Sequence, residues 1–216
     1  MELWTLWTHL LQTSLNFLSG HFGLSEAVSI LAFTLFARLA LLPLSLKAAY
    51  RAHQNKEALE RIKPTLEGLR ETHKANPSEL AAQTAALYRE QGITFLDKVS
   101  LLNMGSQGIL GLGIFQTLKR ASFQSGFLWI SNLAKPDLVL TLLISLLMLL
   151  GAALMPGATA HPSTLLMVLI PIVVTVFAIA VMPSALGLYW ATSNAVTVAQ
   201  TLALRRMLAR SRPLVA

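Results

Sequence analysis

Long apolar stretches recur along the chain, separated by segments rich in charged or turn-forming residues. Each stretch has about 17–20 residues, and as a helix rising ~1.5 Å per residue it is long enough to cross a hydrocarbon core about 30 Å thick. We therefore expect an all-α, polytopic membrane protein with five transmembrane helices, at residues 27–46, 99–118, 138–155, 165–182 and 188–204.

Residues 1–25 show a different pattern, in which apolar and polar residues alternate at helical spacing. Trp4, Trp7, Leu11 and Leu15 recur on one side, with polar residues between them. A helix with tryptophan on its apolar side is typical of helices that lie along a membrane surface. The pattern predicts an interfacial amphipathic helix at the N-terminus.

Residues 47–92 are rich in charge and must be exposed to water, yet they retain helical periodicity. Asn76 and Pro77 have the residue types that favour a helix N-cap and a first helical position, and Gly92 is a suitable stop. Two helices that meet at a turn near Asn76 form an antiparallel helical hairpin. The Lys63-Pro64 pair lies in the first of these helices.

Composition supports the membrane assignment. Of the 216 residues, 54% are hydrophobic and 12% are charged, whereas a soluble domain has about 25% charged residues. This low share of charged residues argues strongly against a soluble enzyme. The chain has no cysteine, which excludes a disulfide framework, a thiolate metal site and a cysteine nucleophile.

The net charge of +7 is explained mainly by membrane orientation. With five spans, segment 47–98 and the short basic tail at 207–216 lie on the same side of the membrane, and they hold most of the 17 basic residues. Basic residues favour the cytoplasmic side. We therefore expect the hairpin and C-terminus in the cytoplasm and the N-terminus outside, with no specific nucleic-acid partner.

Arg38 lies near the middle of span 27–46 and needs a physical explanation. An arginine at mid-span costs about 2.5–3.5 kcal/mol on insertion scales, and all ten acidic residues lie outside the other four spans. Three explanations are open: snorkelling to the headgroups, a water-filled cavity, or neutral polar partners. The candidate partners are Asn103, Gln107, Gln116, Ser145, Thr175 and Asn194.

The sequence also bears on two other function classes. An intramembrane serine hydrolase needs a base near its nucleophile, but all five histidines lie outside the spans. A small transporter or channel subunit that uses Arg38 as an anion site is the main alternative. A pore that crosses from face to face would favour it over a one-sided groove.

Five short motifs then point to a family. They are FARLALLPLSLK at 36–47, Lys63-Pro64, LYREQG at 87–92, FLW at 127–129 with PD at 136–137, and MPSALGLYW at 182–190 followed by Asn194 and Gln200. Because these motifs occur in that family's order and at its spacing, the chain resembles the YidC/Oxa/Alb family of membrane protein insertases. The resemblance covers residues 27–206 and corresponds to a short form with the five-helix core.

The resemblance implies a non-enzymatic insertase and chaperone, which inserts and helps fold small membrane proteins without nucleotide, metal or other cofactor. It implies a hydrophilic groove that carries Arg38, with the cytoplasmic hairpin receiving the substrate. Groove candidates are Arg38, Gln107, Gln116, Trp190 and Asn194, although the two glutamines could equally face another helix. Hairpin candidates are Lys63, Pro64, Asn76 and Pro77.

The resemblance also implies partners and a location. The partners are newly made membrane proteins and the lipid bilayer, while contact with a Sec translocon or a ribosome stays open. We expect an insertase core at residues 26–206 in a bacterial cytoplasmic (inner) membrane, in preference to an organelle inner membrane.

Overall fold

The computed structural model describes residues 2–94, 97–155 and 162–211; for 162–168 and 211 it describes the backbone alone. Within these ranges seven helices account for the regular structure, and no strand occurs beyond one isolated bridge. They are α1 (Glu2–Phe22), α2 (Glu26–Thr72), α3 (Pro77–Glu90), α4 (Lys98–Arg120), α5 (Leu138–Leu154), α6 (Pro162–Ala180) and α7 (Ser184–Ser211). The predicted all-α class is confirmed.

Helix α2 has 47 residues and is unbroken, running through both Pro43 and Pro64. The sequence predicted a span ending at residue 46, with the first hairpin helix beginning at 47. The structure joins the two into one helix, because a proline removes one N–H group and leaves the other helical hydrogen bonds available. Likewise α7 continues to Ser211, into the tail predicted from residue 207.

Apolar length alone supports fewer spans than the sequence pattern predicted. Within the described ranges, α2 is the one helix both long and apolar enough to cross a membrane, while Leu138–Leu154 and Leu169–Ala180 are apolar but shorter. Helix α4 is long enough, but glycine, serine and glutamine lower its hydropathy. The count of five spans therefore stays a prediction.

The chain divides into two compact units, one made of Met1–Pro43 with Ser106–Ala216 and the other of Leu44–Gly105. In the second unit, Ile62 and Leu66 of α2 share a small apolar cluster with Leu87 and Tyr88 of α3. Helix α3 begins at Pro77, as predicted, and the Glu79 backbone N–H donates to Asn76 Oδ1 at 3.3 Å. The predicted N-cap is confirmed.

A second cap in this unit was not predicted. Asp97 precedes α4 and accepts hydrogen bonds from the Val99 N–H at 2.9 Å and the Ser100 hydroxyl at 2.7 Å, while Arg51 Nη1 donates to it at 2.6 Å. The Ser100 hydroxyl first, and then Arg51, lower the pKa of Asp97 to about 2. The start of α4 is thereby tied to α2.

The first unit contains the main apolar core, and α1 packs onto α4 within it. Trp4 Nε1 donates to Gln116 Oε1 at 2.9 Å, and Trp7 Nε1 donates to the Ile109 carbonyl at 3.2 Å. At Gly113 a side chain would overlap the Trp7 indole and Leu11. The stripe that predicted a surface helix therefore has a protein partner, while Leu3, Leu6 and Leu10 beside that stripe stay exposed.

Helices α5 and α7 of this unit also pack closely against each other. Helix α5 lies along α7, and a Cβ atom at Gly187 would come within 2.6 Å of Leu140 Cδ2. The N-terminus of α7 also holds the α4–α5 connection, because the Ser184 and Ala185 N–H groups donate to the Lys135 and Leu133 carbonyls at 2.9 and 3.0 Å. These contacts fix one end of α7.

Candidate functional site

Arg38 is half-buried and bonded to two neutral side chains from different helices. Its Nη1 donates to Gln107 Oε1 of α4 at 2.6 Å, and its Nε donates to Ser193 Oγ of α7 at 3.2 Å. In the ranges that the structure describes, no carboxylate lies within 4.0 Å of the guanidinium group. The positive charge is thus hydrogen-bonded but not neutralised.

A cavity of about 410 Å³ opens beside this arginine. The Arg38 cavity, as we call it, is bounded on the α4 side by Gly111, Leu112 and Phe115. On the α7 side it is bounded by Tyr189, Trp190, Ser193 and Asn194. Its wall therefore combines one cation, two polar side chains and several aromatic rings.

The α7 wall follows from helical spacing. Tyr189 and Ser193 are four residues apart, as are Trp190 and Asn194, so each pair lies on one side of the helix. The Tyr189 and Trp190 rings meet edge to face, with centroids 5.7 Å apart. Asn194 Nδ2 donates to the Trp190 carbonyl at 2.8 Å, which satisfies its donor inside the helix.

A glycine on α4 permits the close approach of α7. A Cβ atom at Gly111 would lie 3.3 Å from the Tyr189 hydroxyl oxygen, which is tighter than ordinary carbon–oxygen contact. Glycine thus permits close helix contact at Gly111, as it does at Gly113. At Gly105 and Gly108, by contrast, nothing lies within 4 Å of an added Cβ.

The structure brings most of the predicted groove residues together, with one exception. Gln107 contacts Arg38, and Trp190 and Asn194 line the same cavity. Gln116 does not line it, because its side-chain oxygen accepts the Trp4 hydrogen bond instead. Lys63, Pro64, Asn76 and Pro77 belong to the Leu44–Gly105 unit and are exposed on its helices.

Sequence reasoning missed Ser193 and gave Tyr189 no role beyond its motif. Ser193 is buried at 4% exposure, so its hydroxyl needs a partner, and Arg38 supplies one. The available signal was the spacing of Ser193 four residues after Tyr189. Serine is too common in apolar helices for that spacing alone to identify it. The other neutral candidates Ser145 and Thr175 donate to carbonyls of their own helices.

This arrangement can bind a group with negative charge or free carbonyl oxygens. A guanidinium group has five N–H donors, of which Gln107 and Ser193 take two. Charge-assisted hydrogen bonds are about twice as strong as neutral ones. A carboxylate that entered the Arg38 cavity would therefore gain an interaction that neither neutral partner can match.

Comparison with known proteins identifies the family. The sequence profile described as 60Kd inner membrane protein matches residues 17–211. The chain belongs to this family. The resemblance to YidC/Oxa/Alb proteins is thereby confirmed, and the match includes both Arg38 and the residues on α7 that line its cavity.

Several curated members of the 60Kd inner membrane protein family are similar to the chain. The membrane protein insertase YidC of Chloroherpeton thalassium is 31% identical over 205 residues, which are 86% of this chain and 33% of that protein. YidC 1 of Listeria monocytogenes is 28% identical, covering 91% and 71%. YidC 2 of Streptococcus pneumoniae is 31% identical, covering 93% and 73%. The chain thus spans about a third of the first relative and most of the other two.

Membership in the 60Kd inner membrane protein family settles two coarse points. The protein is a helical membrane protein, and its relatives imply a bacterial inner membrane as its location. The exposed apolar side chains of α5 and α6 are consistent with contact with lipid. The Arg38 cavity is therefore a charged site within a membrane protein, where unpaired charge is expensive and usually functional.

Proposed function

We propose that this chain is an insertase, which takes small newly made membrane proteins from the cytoplasm and helps them enter the bilayer and fold. The observation that carries the proposal is the un-neutralised Arg38, held by Gln107 and Ser193 at the edge of a cavity. The relatives named as membrane protein insertases support the same function.

In this proposal Arg38 attracts the polar, acidic end of the incoming protein. Two unit charges 4 Å apart attract by about 4 kcal/mol at an effective dielectric constant near 20. That attraction offsets part of the cost of moving a polar segment toward the membrane interior. Burial of the substrate's own apolar helix in lipid then drives the step, so no nucleotide, metal or other cofactor takes part.

The wider architecture belongs to the same proposal. Five helices span the membrane and α1 lies at its outer side, while the antiparallel hairpin of α2 and α3 stands in the cytoplasm and receives the substrate. The N-terminus is outside and the C-terminus inside, since thirteen of the 17 basic residues then lie in the cytoplasm. The insertase core extends over residues 26–206. A cysteine placed at Asn76 tests this orientation, because a thiol reagent should label it from the cytoplasmic side and not from the outside.

A charge substitution at Arg38 tests the proposed function. We expect Arg38→Ala to reduce insertion of a single-span substrate with an acidic outer segment by about tenfold or more, because the attraction is lost. Arg38→Lys should retain part of it. Insertion is measured by protease protection in proteoliposomes and by rescue of a depleted strain.

Two controls make the result specific. Arg120→Ala removes an exposed arginine at the end of α4 and should leave insertion unchanged. A substrate with a neutral outer segment should depend little on Arg38. Equal insertion of the acidic substrate by the parent chain and Arg38→Ala would refute the proposal. Arg38-dependent anion flux through the same proteoliposomes, without insertion, would establish the transporter alternative.

A further inference from the structure

The connection between α4 and α5 contains a tight turn at residues 127–130 with unusual backbone geometry. Phe127 and Ile130 exchange two backbone hydrogen bonds, of 2.8 and 2.9 Å, around the central residues Leu128 and Trp129. Leu128 has a φ angle of +53°. In turns with a positive φ at the first central position glycine is preferred, because a side chain there is strained. A leucine at this position needs a reason.

The exposure of the Leu128 side chain is a second unfavourable feature. Leu128 is 77% exposed, and Trp129 beside it is also exposed. A leucine here in contact with water is unfavourable both in its backbone conformation and in its exposed apolar surface. Glycine or asparagine would relieve the strain and expose less apolar surface. Strain and exposure together indicate that the Leu128 side chain contacts something apolar outside the chain.

Trp129 connects the 127–130 turn to the lipid-facing side of α5. Its Nε1 donates to Asp137 Oδ1 at 3.1 Å, and the same oxygen accepts the Leu140 N–H at the start of α5. Directly after Asp137, Leu138 and Val139 are exposed on that helix. In a membrane protein such a helix surface faces acyl chains, so the turn lies where the lipid-facing surface ends.

The connection that contains the turn is also bonded to two other helices. Both the Ser125 N–H and the Ser125 hydroxyl donate to Glu26 Oε2 of α2. A Cβ atom at Gly126 would come within 2.6 Å of the Ile130 carbonyl oxygen, so glycine is required there. After the turn, the Lys135 carbonyl accepts the Ser184 N–H of α7, while the Lys135 side chain is exposed. Hydrogen bonds to α2 and α7 thus hold the connection on both sides of Leu128.

We propose that Leu128 and Trp129 form a lipid anchor, which inserts into the boundary between headgroups and acyl chains of the bilayer leaflet at this end of the unit. Phospholipid is the occupant favoured by the observations. The surface is continuous with the exposed side of α5, the indole N–H is already satisfied within the chain, and exposed Lys135 suits a headgroup phosphate. This anchor is independent of the insertase activity proposed for Arg38.

A spin-label measurement tests the anchor directly. Because the chain has no cysteine, Leu128→Cys and Ser131→Cys each provide one labelling site, three residues apart in the same connection. In phospholipid vesicles we expect a nitroxide at 128 to collide with oxygen more than with a water-soluble nickel chelate, as a label at Leu142→Cys on α5 should. A label at exposed Ser131 should show the reverse preference.

Two outcomes would overturn the anchor. A label at 128 as accessible to nickel as the label at 131 would place Leu128 in water. A label at 128 shielded from both reagents would mean that protein covers it. A second measurement avoids the cysteine: brominated lipids should quench the fluorescence difference between the parent chain and Trp129→Phe, more strongly with bromine near the headgroup than deep in the tails. An unquenched difference would contradict the proposal.

Discussion

Replacing Gln107 with glutamate should separate the structural and functional roles of Arg38. The Gln107 Oε1 atom lies 2.6 Å from Arg38 Nη1, so Gln107→Glu places a negative charge against the guanidinium group with almost no change in shape. At an effective dielectric constant near 20, this pair attracts by about 4 kcal/mol at 4 Å. The same attraction is then no longer available to a substrate carboxylate.

The size of the functional loss follows from that figure. A loss of about 4 kcal/mol would correspond to nearly a thousandfold weaker attraction, since each 1.4 kcal/mol is tenfold. Solvent in the Arg38 cavity reduces the effect, and we expect insertion of the acidic substrate to fall by at least about tenfold. The thermal stability of the variant should be no lower than that of the parent chain, because an ion pair replaces a charge-assisted hydrogen bond.

A neutral substitution at the same position gives the opposite pattern. Gln107→Met has a similar shape but no acceptor, so it should lower the free energy of unfolding by about 1.5–3 kcal/mol through loss of the charged hydrogen bond. Each folded molecule should still insert the acidic substrate, because Arg38 keeps its charge. Insertion is compared by protease protection in proteoliposomes with equal amounts of folded protein. Parent-like insertion by Gln107→Glu would refute the role assigned to the arginine charge.

Three further predictions concern packing, pH and capping. Gly113→Ala should lower the free energy of unfolding in lipid nanodiscs by about 1–3 kcal/mol, because its Cβ overlaps the Trp7 indole. Gly108→Ala has space for its Cβ and should leave this free energy unchanged. Stability should decrease as the pH falls from about 4 toward 2, since the folded state holds the pKa of Asp97 below its unfolded value of about 3.9; Asp97→Asn should reduce this dependence in thermal melts. Asn76→Ala should cost about 0.5–2 kcal/mol of stability, because the α3 cap is lost.

Each of these predictions has a result that would contradict it. Equal melting temperatures for the two glycine variants would show that α1 does not dock on α4 at Gly113. An unchanged pH dependence in Asp97→Asn would mean that other acidic groups produce it. For the cap, Asn76→Ser is the matched control and should retain most of the stability; a loss as large as that of the alanine variant would argue against the cap.

Local patterns in the sequence were sufficient for the parts of the fold that depend on neighbouring residues. The N-cap at Asn76 and the helix start at Pro77 lie within one turn of each other, so their chemistry identifies them directly. Simple counting showed that the later spans hold no acidic partner for Arg38, and neutral polar partners were one of the three explanations that this left open. Gln107 was among the named candidates and contacts Arg38.

Contacts between distant segments could not be predicted in this way. The Trp4–Gln116 hydrogen bond joins residues 112 positions apart, and it depends on how α1 packs against α4. Asp97 had a capping pattern with Ser100 that could have been recognised, but its pairing with Arg51 depends on the path of the connection after α3. The strained turn at Leu128 could not be predicted either, because the apolar residue types at 127–130 indicate apolar contact and not a turn.

If Arg38 receives a substrate as proposed, its neutral surroundings also determine what that substrate must displace. A carboxylate built into the same cavity would be tethered beside the guanidinium group and would compete at a very high effective concentration. In the described ranges the cavity lining holds no carboxylate. The guanidinium group donates instead to the neutral side chains of Gln107 and Ser193, which are weaker ligands. Under the proposed function, a substrate segment would compete for the charge with these two neutral ligands, water and dissolved ions, and with no tethered carboxylate. In that case a few acidic residues on a short, weakly binding tail would be enough to occupy the site, and weak binding would let that tail leave again.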